Sequence, residues 1–398
     1  ALENVFVDLK KKTFQLGDLQ LQTKDIDIPL DNGFYRLKIG GLDLRKSGLR
    51  LDHVHLVSPY SKMEFAYKQP KHQDWFDVKV GNVRLNDVDI PGYFSTKELR
   101  VGGLWINDVL LQNLKNRKIP VEPHIVPMIY EGLQKAPVRF KIDTASVANF
   151  SVVYEELPVK GDKLGKLGKL YFTDMNGQFS GLTNIVSYPE QFITLHADGN
   201  LMGSGHFTAT WQLPVDSLYD RFLLDARLDS LDLLSLNEII KPLAPAEVTS
   251  GWAQDVVFHM DASSQKGRIR LDFPYRKLKV ALLKEKDGET TQKGFLSRLA
   301  NLVLRDNNPA HPERKDSKLR KVDMEIVRDP YHSTFNYLWQ MLRPALVESV
   351  GVSKKEQDAA LKVAGFFTKV KRFFGLDKKK DKREEIDTNN KEIEPLKE

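Results

Sequence analysis

No cysteine occurs among the 398 residues, which excludes disulfide staples, zinc ribbons, thiolate nucleophiles and iron–sulfur ligation together. Nor is there a run of about 20 apolar residues, the length a membrane-crossing helix needs. The chain opens at Ala1 without the basic and apolar regions of a secretory leader. The expectation is a soluble protein or a segment whose anchor or leader lies outside it, and the missing initiator Met favours the second. Hydrophobic residues at 41% and charged residues at 29% match an ordinary folded chain, so global disorder is excluded.

Recognisable catalytic chemistry is also lacking. His53 and His55 have the spacing of two ligands on one strand face, but no third ligand accompanies them, so they read as surface histidines. Gly203-Ser204-Gly205-His206 does not have the G-x-S-x-G spacing of a nucleophile elbow and reads as a turn. The glycines at 161, 165 and 168 lie among lysines without P-loop spacing. Neither an enzyme nor a cofactor is expected.

The net charge of +6 is unevenly placed, with 16 Lys/Arg against 7 Asp/Glu between residues 266 and 321. Such a block reads as a solvated face or a surface for an anionic partner. It carries no helix-turn-helix, finger or aromatic stacking signature, so nucleic acid is not an expected partner.

A repeated pattern fills the first 155 residues. Val78 and Val80, Gly81-Asn82, Val83 and Leu85, Asn86-Asp87, then Val88 and Ile90 are matched 21 positions later by Leu99 and Val101, Gly102-Gly103, Leu104 and Ile106, Asn107-Asp108, Val109 and Leu111. Leu37-x-Ile39-Gly-Gly-Leu42-x-Leu44 follows the same grammar, as do the pairs between Phe140 and Val152. Alternation with period 2 puts each apolar pair on one strand face, and an uninterrupted strand would send the next pair to the other face. The two-residue insert therefore corrects the phase through a bulge or kink, with glycine supplying φ > 0. Such strands, set side by side, give an elongated, curved antiparallel sheet with one oily side. A pentapeptide solenoid shares the spacing but wants small core residues where Phe14, Leu99 and Phe140 stand.

Four regions are expected: 1–155 as bent strands, 156–290 as a meander, 291–376 as a basic loop, a strand and two amphipathic helices, and 377–398 as a disordered charged tail. Hairpin turns are read at Asp198-Gly199 and at 203–205. Short inserted helices are read near 127–135 and from Leu236. Phe335, Leu338, Met341, Leu342, Ala345, Leu346 and Val350 form a 3.6-residue stripe ending at Gly351. Ser353 and Glu356 open a second helix with a phenylalanine-rich side.

From Asp216 to Glu285 the chain is similar to the C-terminal region of the AsmA-like family of bacterial envelope proteins. The points of likeness are the strand-to-helix step over 232–243, the turn at Ser250-Gly251 and the closing strand over 275–283. "VKVGNVRLNDVDIP" and "DPYHSTFNYLWQMLRPALVESVGV" resemble the same family. The resemblance implies a periplasmic body, anchored at the inner membrane through a segment absent from this chain. It also implies a sheet whose groove carries phospholipid or another envelope lipid between membranes or assists outer-membrane assembly. An acyl chain of about 16 carbons crossing water unshielded faces roughly 12 kcal/mol at about 0.8 kcal/mol per CH₂.

Under that reading the groove candidates are Val78, Val80, Val83, Leu85, Leu99, Val101, Leu104 and Ile106, set against ordinary core packing beneath a helix. A structural or adhesive scaffold that binds protein or polysaccharide without lipid is the alternative. A third reading lays the helix over 354–376 on a membrane surface through Phe366, Phe367, Lys369, Phe373 and Phe374.

Overall fold

The computed structural model describes residues 2–8, 13–68, 73–119, 124–158, 167–243, 246–286, 289–292 and 305–351. The first strands are β1 (Leu2–Asp8), β2 (Thr13–Leu30), β3 (Tyr35–Arg45), β4 (Gly48–Val57), β5 (Trp75–Val88), β6 (Glu98–Asn116) and β7 (Arg139–Leu157). The chain continues through β8 (Gly168–Ser180), β9 (Leu182–Thr183), β10 (Phe192–Leu201), β11 (Gly205–Pro214) and β12 (Phe222–Asp232). It closes with β13 (Ala246–Ala262), β14 (Lys266–Asp272), β15 (Tyr275–Lys286), β16 (Glu289–Gln292) and β17 (Lys321–Val327). Fifteen of these form one large open, curved sheet, with β1 beside β2 and β16 beside β15. The sheet runs without a break from β7 into β8.

The wholly antiparallel arrangement expected from sequence is corrected at one place: β6 and β7 run parallel, Glu98 beside Arg139 through Asn116 beside Leu157. A parallel neighbour needs a long return, and residues 117–138 supply it. Both strands have 19 residues, about 60 Å each. Their connection carries helix α3 (Ile129–Gln134) back along the sheet.

Register makes the two faces distinct. Leu21, Leu44, Leu49, Leu85, Leu104, Ala145 and Phe179 stand opposite one another in turn from β2 to β8. The same lane continues as Leu195, Trp211, Leu224, Met260, Ile269 and Met324 to β17. One position along each strand, Gln22, Asp43, Arg50, Arg84, Trp105, Ser146 and Gln178 make the matching lane of the other face. Trp105 is its one large apolar member. Opposed residues share a face, so each lane is one side of the sheet.

The phase correction is real, but its chemistry differs from the sequence expectation. Pairing skips one residue in both partners along a row that crosses five strands at Asp25, Gly40, His53, Gly81 and Asp108. The left-handed residues are Asp25, His53 and Asp108, with φ of 55°, 53° and 58°. Gly40 and Gly81 are not among the residues with positive φ; they provide room. A Cβ on Gly81 would lie 2.8 Å from Asp108 Cβ, and one on Gly40 would lie 3.1 Å from His53 Cβ. Gly102 repeats the device, 2.8 Å from Cβ of Asp87, whose φ is 53°. Asp and Asn tolerate this backbone region better than other side chains do.

A second correction falls at Asp198-Gly199, which lies within β10 rather than in a hairpin; the turn is at Met202–Ser204, where Gly203 has φ 75°. Helix α4 (Asn237–Leu243) and helix α5 (Thr334–Val350) stand where the sequence placed helices. Ser333 caps α5 by accepting from Asn336 N, and Gly351 ends it at φ 64°. The amphipathic turn near 295–304, the second C-terminal helix with Phe366, Phe367, Lys369, Phe373 and Phe374, and the tail over 377–398 lie outside the described residues.

Candidate functional site: an apolar trough with one basic end

The two halves of the sheet treat their apolar face differently. From β8 onward it is covered: Tyr337, Met341 and Ala345 of α5 are fully buried against β14 and β17, and Met128 and Tyr130 of the β6–β7 return join the same cluster. Trp211 packs edge-on against both Phe222 and Phe335. That contiguous buried cluster contains no residue of β2 to β7.

Over β2 to β7 the same face has no such cover. Among the described helices, α1 (Lys62–Lys68) packs here against β5, and α2 (Ile90–Thr96) packs against β2 and β6. Three strands separate β2 from β6, so one seven-residue helix can touch both only because the sheet curls. Leu21 and Ile28 at the β2 rim are 50% and 42% exposed. The result is a trough with aliphatic walls.

All eight groove candidates lie on this face. Val80 stands between Val54 and Val109, Val83 between Leu51 and Ile106, Leu85 between Leu49 and Leu104, and Val78 between Leu56 and Leu111. Leu99 and Val101 face Phe140 and Ile142 on β7. Val101 is buried at 2% exposure, whereas the other seven are half-buried. Seven of the eight are therefore partly accessible on this face, and Val101 is packed.

The trough does not stay apolar along its length. Beyond the lane containing Val78, Leu111 and Val152, the next positions on the same face are Phe76, Asn113 and Tyr154. After these come Lys115 and Glu156, and then Arg117 just past the strand. Arg117 Nη1 donates to Glu156 Oε1 at 2.8 Å, and the Tyr154 hydroxyl donates to Glu156 Oε2 at 2.5 Å. Burial, with the Glu156 charge beside it, pushes the Tyr154 hydroxyl well above its usual pKa. The sequence reading missed this end because its strand pattern stopped at the last aliphatic pair, although the odd-numbered run Asn113, Lys115, Arg117 was there to follow.

The opposite face is polar and largely paired. His55 Nε2 and Asp77 Oδ1 are 3.0 Å apart, Arg36 and Asp27 pair at 2.9 Å, and Arg268 and Asp323 at 2.6 Å. His53 sits at the kink row, one residue out of phase with His55. Among the described residues no group of three or more His, Cys, Asp or Glu side chains could hold a metal ion. No described helix is long and apolar enough to cross a membrane.

No family model matches the chain, and no curated protein matches it.

Proposed function

We propose that this chain is a non-enzymatic lipid-handling protein of the AsmA-like type, acting in the periplasm and tethered to the inner membrane by a segment outside residues 1–398. In this reading the trough over β2 to β7 shields acyl chains between membranes. The supporting observation is that one face stays aliphatic across both halves of the sheet, is covered by a contiguous buried cluster in one half and, among the described residues, meets only the short helices α1 and α2 in the other. A covered lane needs no ligand. An uncovered one leaves rows of half-buried Val, Leu and Ile facing water, and monomeric proteins seldom expose a contiguous apolar patch of more than a few hundred Å² without a binding role.

The physical gain is proportional to length. Each methylene sheltered is worth about 0.8 kcal/mol, and the kinks hold successive aliphatic pairs on one side over the length of each strand. Nothing in this function asks for a titrating nucleophile or a metal.

The test is mass spectrometry of organic extracts from the purified chain, with Val80→Asp/Ile106→Asp as the comparison. Bound lipid is expected in the wild type and lost in the variant while the far-UV circular dichroism is kept. Wild-type protein that extracts clean of lipid after exposure to vesicles defeats the proposal and favours the scaffold reading.

A further inference from the structure

On the polar face, Trp105 stands where the register otherwise sets polar side chains. A Cβ on Gly103 would overlap the benzene half of its indole. Residues two apart on a strand share a face, so the ring leans along β6 and rests on the glycine. Its outer side is left to a depression of about 300 Å³. Asn82, Arg84 and Asn86 of β5 and Asn107 of β6 line the rest. The kinks at Gly81 and Asp87 bracket the three β5 residues, which therefore stay in phase with one another.

The polar wall of this depression keeps hydrogen-bonding groups free. Asn107 Nδ2 donates to Asn82 Oδ1 at 3.0 Å, which leaves Asn82 with its donors and Asn107 with its carbonyl oxygen. Arg84 is exposed and makes no ion pair among the described residues. Directly opposite it on β4 stands Arg50, and like charges so placed cost stability. The nearby carboxylates are already taken, Asp52 by Arg50 at 3.0 Å and Asp43 by Arg45 at 3.1 Å. Three guanidiniums against two carboxylates leave one positive charge beside the ring.

We propose that Trp105, Arg84, Asn82 and Asn107 form a binding site for an acidic sugar ring, a hexuronate unit of a polysaccharide, on the face opposite the trough. A pyranose presents C–H groups from one side of its ring, and these seek the negative face of an indole. Its carboxylate accepts two parallel bonds from one guanidinium, and its hydroxyls match the free donors and acceptor of the asparagine pair. Single-stranded nucleic acid is held by successive aromatics along a basic groove, whereas the lane from Gln22 to Gln178 holds no aromatic besides Trp105. The inference does not rest on the lipid-handling reading, because its residues face away from the trough.

Isothermal titration of the purified full chain with trigalacturonate and with trimannuronate, each as free acid and as methyl ester, tests it. Wild type is expected to bind at least one free acid, about tenfold or more tighter than its ester, the effect of one charge-assisted pair. Arg84→Gln should weaken the acid to the level of the ester and leave the ester unchanged. Trp105→Ala should lose both, with far-UV circular dichroism as the check on its fold. Arg84 is exposed, so its variant tests the charge without disturbing packing. Wild type that binds neither acid, or Arg84→Gln that keeps the preference for acid over ester, overturns the site. Tighter binding of a single-stranded oligonucleotide, abolished by both variants, assigns the same residues to nucleic acid and overturns the sugar.

Discussion

At Gly81 the requirement is space. Asp108 takes the left-handed conformation and puts its side chain where a Cβ on Gly81 would stand. Gly81→Ala is therefore expected to destabilise the chain by roughly 1–3 kcal/mol, the usual cost of overpacking, in urea unfolding. Adding Asp108→Gly should recover part of that loss, because one side chain then occupies the space between the two strands. Recovery stays partial, since Asp108 Oδ1 also accepts from Asn149 Nδ2 at 2.7 Å. The sequence showed where the strands bend but assigned the strain to the wrong partner. Glycine alternates with aspartate or histidine across neighbouring strands, and only pairing reveals which faces which.

A second residue-scale expectation concerns pH. Arg221 donates to both oxygens of Asp261, at 2.9 and 2.8 Å, and holds that carboxyl below the ordinary carboxylate range. The folded value is depressed relative to about 3.9 in the unfolded chain. The stabilisation is therefore complete above that value and lost as pH falls through the folded one. Asp261→Asn is expected to lower stability by less than about 1 kcal/mol at pH 7, because the pair is partly exposed. Its denaturation midpoint should converge with that of the wild type as the pH is taken below about 4.

Elements divide the sheet into a half that packs and a half that does not, and matched truncations measure the division. Leu271 is fully buried beneath α5, while Leu85 is half-buried and belongs to the half of the face outside the contiguous core cluster. Leu271→Ala should cost roughly 2–5 kcal/mol. Leu85→Ala puts at stake only part of the 1.5–3 kcal/mol of a full side-chain burial and should cost less than about 2 kcal/mol. Equal losses in chemical denaturation would mean that the trough is packed core. At this scale α5 was legible from its 3.6-residue stripe, because one helical face carries the whole signal. The β6–β7 pair was not, since an aliphatic alternation reads the same beside a parallel or an antiparallel neighbour. The hint was length: the return over 117–138 is far longer than a hairpin needs.

For the whole molecule, what sequence leaves open is whether protein or ligand covers an apolar lane, because Val and Leu at period 2 satisfy both. The cysteine-free chain makes that question directly measurable. Val83→Cys places a thiol on the uncovered half of the face, and Ile269→Cys places one, fully buried, under α5. In lipid-free protein a maleimide should modify Val83→Cys many-fold faster than Ile269→Cys, whose thiol reacts only through opening of the packed half. Loading with phospholipid should slow the first and leave the second unchanged, because the ligand takes the place of water in one half only. If both thiols are sheltered before any lipid is added, the curled sheet closes on itself and has no room for a chain.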